Sequence, residues 1–251
     1  MNTSIKILNN NKKIVALVLA RSGSKGIIDK NIKLYKGIPL LAHSIKIGVE
    51  CPYISDVYLS TDSAEYLEIG ALYGAKKMDL RSREIADDLS PDSDAFHHFL
   101  QWYFREYGGV YPDIIVQLRP TYPNRSLSVL NDCIERFLSE YETYDSLRTV
   151  IKLDKTPYKM YYIREGVLIP YFAADRDPRF KEPFNQARQN FPDTYLHNGC
   201  IDIVKTSIIL GGNDVISGTR IMPYIMNDDE VDDIDTLNDF IKSENKSIIN
   251  I

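Results

Sequence analysis

The most constraining feature of this chain is an abrupt change of character at residue 20. Residues 14–20 (IVALVLA) form an uninterrupted apolar run, and Arg21-Ser22-Gly23-Ser24-Lys25-Gly26 follow at once, with Lys30-Asn31 shortly after. A short apolar run bounded by turn residues is the pattern of a strand buried on both faces, as in a parallel sheet. Gly23 and Gly26 let the loop adopt unusual backbone angles or approach a ligand closely. Three cationic side chains on such a backbone make a polyphosphate cradle. The loop carries neither GxxxxGK[ST] nor GxGxxG, which disfavours a P-loop NTPase or a nicotinamide enzyme. By itself it reads equally well as a solvated turn between strand and helix.

The alternation continues along the chain. Residues 40–49 carry apolar positions at mixed helical spacing and stop before Pro52, residues 54–60 read as a strand, and Ser63 caps a helix that Gly74 ends. Residues 92–107 predict an aromatic-rich helix and 113–118 (DIIVQL) a core strand, followed by the open loop Arg119-Pro120-Thr121-Tyr122-Pro123. A helix over 126–141 and a strand over 146–153 come next. This order predicts a Rossmann-like, mostly parallel α/β sheet flanked by helices, whose ligands bind at the carboxyl ends of the strands. The Arg21 loop, Ser60-Thr61-Asp62 and the Arg119 loop then share one edge. Residues 156–196 break the pattern with many charges and aromatics and no sustained period. They read as an inserted extension packed on the sheet or on another subunit. Strands resume at 200–204 and 219–226, and a helix from Ile234 to about Glu244 closes the chain. The expected plan is an α/β body of residues 1–155 and 197–251 with 156–196 inserted into it.

Charge and cysteine usage narrow the function. The chain has 30 basic and 35 acidic residues, a formal charge of −5, which argues against a general nucleic-acid binder and makes the basic loop a site instead of a coat. Cys51, Cys133 and Cys200 are too few and too far apart for a disulfide framework or a zinc knuckle, so a reducing cytoplasm is expected. The run 14–20 is far shorter than the ~20 residues of a membrane helix, and no signal-peptide pattern precedes it. Neither nucleic acid nor a membrane is expected as a partner.

Three further clusters carry candidate chemistry. In the acidic run 228–235 (DDEVDDID), Asp233 and Asp235 flank one apolar residue. In an extended segment they point the same way, as two carboxylates must to hold one hard cation. Magnesium takes one or two carboxylates plus phosphate oxygens. The alternative is solvated surface, with Asp235 as N-cap of a helix beginning at Thr236. Gln186-Ala187-Arg188-Gln189 offers carboxamides around a guanidinium fork, suited to a polyhydroxylated, carboxylate-bearing ligand or to ordinary polar surface. His43, His97, His98 and His197 show no metal-ligand or Ser/His/Asp spacing, and none is assigned to catalysis.

Taken together, Ala20–Gly26 with Lys30-Asn31, Ser60-Thr61-Asp62, Arg119-Pro120-Thr121, Asn198-Gly199 and Asp233-Ile234-Asp235-Thr236 resemble, in order and over nearly the whole chain, the acylneuraminate cytidylyltransferase family. The resemblance implies a nucleotidyltransferase fold and transfer of CMP from CTP to the anomeric hydroxyl of a nonulosonic (2-keto-3-deoxy) sugar acid, with release of pyrophosphate and dependence on Mg2+. It implies that Arg21, Lys25 and Lys30 contact the phosphates with Ser24 and Gly26 beside them, that Asn31 meets the ribose, and that Arg81, with Ala86-Asp87-Asp88, meets cytosine. Arg21, Lys30 and Asp235 become the catalytic candidates, and Asp233 and Asp235 the metal ligands. Lys159, Gln186, Arg188, Gln189, Asn198 and Arg119 fall on the sugar side. It also implies a homodimer in which the 156–196 extension of one subunit closes over the other's site. Two positions depart from the sialic acid enzymes: Arg119 stands where Gln is frequent, and Leu196-His197 where an Arg is expected. A legionaminic- or pseudaminic-type acid is therefore as credible as sialic acid. The competing readings are a nucleotide-sugar-dependent glycosyltransferase with an Asp-x-Asp metal site, and a non-catalytic nucleotide-binding paralogue.

Overall fold

The computed structural model describes residues 11–24, 26–172, 181–212, 215–227 and 232–245. The apolar run forms β1 (Ile14–Leu19), flanked by β4 (Asp56–Ser60) and β5 (Ile114–Gln117) and parallel to both. Its alternate residues feed two cores, as the two-residue strand period requires. Ala16 and Val18 face one way, with Leu41 and Ile45 of α1 (Leu40–Glu50) and with Leu130 and Phe137 of α4 (Leu127–Ser139). Val15 and Leu17 face the other way, toward Phe96, Phe99, Trp102 and Tyr103 of α3 (Asp92–Glu106). A strand so enclosed has no polar face, which is why it appears in the sequence as a continuous apolar run.

The sheet has six strands in the order β10-β6-β9-β5-β1-β4, with β6 at Ser146–Leu153, β9 at Thr194–Lys205 and β10 at Ile221–Met226. It is mostly parallel, as expected. The exception is β9, antiparallel to both β5 and β6. The chain leaves β6, makes its extension and returns directly alongside, a connection that needs no crossover helix when the strands run oppositely. Other described elements include a small hairpin, β2 (Leu34–Tyr35) with β3 (Ile38–Pro39), and the helices α2 (Ala64–Leu72), α5 (Thr206–Leu210) and α6 (Leu237–Asn245). No helix among the described residues is long and apolar enough to cross a membrane.

The structure departs from the expected elements in three places. Strand β9 begins at Thr194, so pairing with β6 starts earlier than residue 200. The extension, expected to lack regular structure, holds a hairpin of β7 (Tyr161–Arg164) and β8 (Val167–Pro170), turned by Glu165 (φ 53°) and Gly166 (φ 79°). A two-residue turn with both φ positive suits a tight hairpin. Neither face of it is buried in the chain: Ile163 is 74% exposed on one face and Val167 61% on the other. Without a one-sided core there is no alternation to read. At its base, Tyr158 stacks on Phe191 with ring centroids 4.9 Å apart and lies 4.8 Å from Phe172. Finally, α6 begins at Leu237, not Ile234. Thr236 is its cap, with Oγ1 accepting from the Asp239 N–H at 3.2 Å while the Asp239 carboxylate accepts from the Thr236 N–H at 2.8 Å, a reciprocal capping box. Asp235 is therefore not the cap. Ile234 is fully buried against Ile27, Tyr35, Leu40 and Phe240.

Candidate active site

The burial of Ile234 orients the residues on either side of it. With that side chain turned into the core, Asp233 and Asp235 open onto a cleft of about 420 Å³ at the carboxyl ends of β1 and β5. Arg21, Ser24, Lys30, Asn31, Arg119 and Asn198 line the same cleft. The loop after β5 fixes the acidic segment. The Thr121 carbonyl accepts from the Ile234 N–H at 3.0 Å, and the Thr121 and Tyr122 hydroxyls bond the Asp233 carboxylate. Desolvation and the neighbouring Asp235 charge together raise the Asp233 carboxyl above the usual carboxylate range, against those hydrogen bonds and Lys30. Burial likewise pushes the Tyr122 phenol well up.

The basic loop and the aspartates touch. Lys30 Nζ donates to the Ile234 carbonyl at 2.8 Å and to Asp235 Oδ1 at 3.1 Å. Gly26 lies so close to this segment that a Cβ there would be 2.8 Å from the Asp235 carbonyl oxygen. A backbone atom cannot swing aside, so the loop needs glycine at this position. The Asn31 amide donates to the Arg21 carbonyl at 2.9 Å. The Ser22 N–H and hydroxyl each bond the Asp62 carboxylate at 2.7 Å. Burial opposes the Asp62 charge, but these bonds and nearby Arg81 outweigh it and hold the carboxyl below the usual range. The Arg21 guanidinium itself pairs with Asp88.

Other expected site residues lie elsewhere. Arg81 does not line the cleft; it is 8% exposed behind the loop, with Nη2 3.5 Å from the Ser60 carbonyl and Nη1 3.5 Å from that of Ile85. Its Nε has no partner among the described residues, and burial lowers its affinity for the proton. Lys159, Gln186, Arg188 and Gln189 are on the extension, outside the cleft of their own chain. Arg188 lies 3.6 Å from Asp154. Lys25 falls outside the described residues.

Three residues to which sequence reasoning gave no individual role bear on the cleft, two of them, Asp92 and His197, lining it. Asp62 anchors the loop, as described. Asp92, at the start of α3, accepts from Gln117 at 3.0 Å and from Arg119 at 2.9 Å; Pro91-Asp92 in the sequence signals only a helix start. His197, opposite Val150 in the sheet, places Nε2 2.7 Å from Asp202 Oδ1. Arg119 crosses over Gly199, where a Cβ would come 2.9 Å from its Nε, and that glycine has φ 74°.

A family model described as cytidylyltransferase matches residues 15–169, more than half of the chain. The chain belongs to the cytidylyltransferase family. Among curated relatives, N-acylneuraminate cytidylyltransferase A of Danio rerio is 34% identical over 141 residues, 56% of this chain and 31% of that one. The CMP-N,N'-diacetyllegionaminic acid synthase of Legionella pneumophila is 32% identical over 124 residues, 49% of this chain and 52% of that one. The match thus spans 31% of the length of the first of these relatives and 52% of the second. Among solved structures, a CMP:2-keto-3-deoxy-manno-octonic acid synthetase complexed with CTP superposes with a TM-score of 0.66 at 12% identity, covering 92% of this chain and 97% of that one. At that identity the likeness concerns the fold. The shared cytidylyltransferase fold includes the strand, basic loop and Arg119 loop, all inside the matched region, whereas Asp233 and Asp235 lie beyond it.

Proposed function

We propose that this chain transfers CMP from CTP to the anomeric hydroxyl of a nonulosonic sugar acid, releasing pyrophosphate. The observation that carries the reading is the direct contact between the basic loop and the aspartate pair in one cleft, Lys30 to Asp235. Family membership supplies the nucleotide, and relatives named for N-acylneuraminate and diacetyllegionaminic acid supply the acceptor class.

In this reading Arg21, Ser24, Lys25 and Lys30 hold the triphosphate, with Gly26 giving the backbone its close approach. Asn31 holds the loop and meets the ribose. Arg81 backs the cytosine side, and Arg119 and Asn198 hold the sugar acid. Attack on the α-phosphorus asks the protein for charge neutralisation and in-line positioning more than for covalent help. A cationic loop held by Asp62, Asn31 and Gly26 meets that need because it is positioned before the reaction begins. Arg21 exchanges its Asp88 partner for phosphate, trading one anion for another at little cost.

The reading implies magnesium, and the donor set fits it. Asp233 and Asp235 are hard oxygen donors on one wall; burial first and the Asp235 charge after it raise the Asp233 carboxyl, and a divalent cation favours the charged form against both. Two carboxylates with phosphate oxygens and water complete the shell magnesium prefers. When bound there, the ion would neutralise phosphate charge and acidify the acceptor hydroxyl.

The body of residues 1–155 and 197–251 would carry the nucleotide, and the 156–196 extension would reach a partner subunit. Lys159, Gln186, Arg188 and Gln189, distant from their own cleft, would then serve the partner's sugar site. The exposed Ile163 and Leu168 support this, because apolar hairpin faces are surfaces that seek a partner. Light scattering should give twice the chain mass; a fully active monomer would remove this part. The three free, buried cysteines agree with a cytoplasmic setting.

The deciding experiment is pyrophosphate release from CTP and magnesium with a panel of sialic, legionaminic, pseudaminic and 2-keto-3-deoxy-octonic acids. We expect release with at least one acid and none without acid. Stabilisation by CTP with no product from any acid would favour a non-catalytic binder, and glycosyl transfer from a nucleotide sugar would favour a glycosyltransferase.

A further inference from the structure

We propose that His197, held by Asp202, is the general base that takes the proton from the attacking hydroxyl; the proposal rests on the cytidylyltransfer reading above. It begins with a fault in the sheet. Arg148 of β6 lies opposite Asp202 of β9, and Val150 lies opposite His197. Thr149 alone therefore faces residues 198–201. In a regular strand, residues five apart are separated by about 17 Å and point to opposite faces. Here the excess chain is folded out through Gly199 at φ 74°. Buried Thr149 stitches it down, its hydroxyl lying 2.6 Å from Asn198 Oδ1 as donor and accepting from the Ile201 N–H at 3.0 Å. The consequence is a side-chain pair that the sequence spacing forbids: His197 Nε2 and Asp202 Oδ1 at 2.7 Å.

The pair has a direction. A carboxylate only accepts, so Nε2 carries the hydrogen and the neutral ring's lone pair is on Nδ1. Among the described residues Nδ1 has no hydrogen-bond partner. Asp202 is 9% exposed, and its other oxygen lies 3.7 Å from Arg119 Nη2, so the carboxylate is tethered from both ends. His197 lines the cleft together with Lys30 and Asp235. It also lines an adjoining chamber of about 150 Å³ with Asp92, Arg119, Arg148 and Asp202. These are the charged groups facing the ring from α3, the β5 loop, β6 and β9. It thus stands on the sugar side of a cleft whose other side faces phosphate. In the reaction the acceptor oxygen bonds to the α-phosphorus while its proton passes to the Nδ1 lone pair. The bond from the α-phosphorus to the bridging oxygen breaks, and its electron pair leaves on pyrophosphate. Asp202 stabilises the imidazolium until it loses the proton to solvent.

The test follows kcat/KM for the most active acid against pH, at saturating CTP, for wild type, His197→Gln and Asp202→Asn, with CTP-induced thermal stabilisation as the check on folding. Removal of a general base costs typically 10²–10⁴-fold. We expect His197→Gln to lose about 100-fold or more and to lack an acid limb that wild type shows, while CTP still stabilises it. CTP ionises alike with both enzymes, so the difference reports the ring. Asp202→Asn, having lost the charge that stabilises imidazolium, should move the limb to lower pH. A His197→Gln enzyme that keeps the limb, whatever its rate, overturns the proposal and leaves the ring a positioning role at most. A wild type that releases no pyrophosphate with any acid overturns the parent reading, and this one with it.

Discussion

Arg21→Ala should lower CTP-dependent turnover by about 10²–10³-fold and leave the fold intact. The rate estimate is the usual cost of removing one preorganised donor from developing charge, roughly 3–4 kcal/mol. The stability estimate comes from where Arg21 sits. Residues 14–18 and Ala20 are buried, but the Arg21 side chain has left the core and is 31% exposed, sharing its charge with Asp88 at 29%. A partly exposed ion pair contributes about 0–1 kcal/mol. Its bonds to the Ser22 and Gly23 carbonyls are long, at 3.5 and 3.4 Å, while the loop keeps its stronger ties through Asp62 and Asn31. Thermal melting should therefore be nearly unchanged while kcat falls and KM for CTP rises. Arg21→Lys should recover only part of the loss, because an ammonium cannot reproduce the planar fork. Wild-type turnover in Arg21→Ala would take the loop out of the phosphate site.

The parts of this site legible in the sequence are those where burial leaves a periodic trace. The strand β1 is visible because both faces are covered, and Asp233/Asp235 because a buried Ile234 separates them and turns both outward. What the sequence conceals depends on contacts between distant segments. Asp62 is 40 residues from the Ser22 it anchors, and no local pattern marks it as a loop tether. The reversed direction of β9 is hidden because its buried stretch, 199–204, reads alike in either orientation. The His197–Asp202 pair is concealed most completely. Its spacing of five belongs to opposite faces of a strand, and only the folded-out residues 198–201 opposite Thr149 bring the two together. The same physics explains the missed hairpin β7–β8, whose apolar residues find no core within their own chain.

Asp235→Asn should lower magnesium-dependent turnover by on the order of 10³-fold, within the range that loss of electrostatic stabilisation and misplaced reactants produces. Asp235 is better suited to this test than Asp233. It is 72% exposed at its side chain and, among the described residues, pairs its charge with Lys30, so the isosteric amide removes charge with little effect on folding. Asp233 is held by Thr121 and Tyr122, and its replacement would disturb the β5 loop as well. Two consequences separate a metal role from a merely structural one. First, the magnesium concentration needed for half-maximal stabilisation of the protein with a non-hydrolysable CTP analogue should rise at least tenfold, a readout independent of turnover. Second, without magnesium the variant and wild type should melt alike, because the Lys30 contact to the Ile234 carbonyl remains. Equal magnesium response in the two proteins, with turnover unimpaired, would place the cation elsewhere in the cleft. It would also leave Asp235 as a counter-charge that keeps Lys30 in position at the mouth of the basic loop.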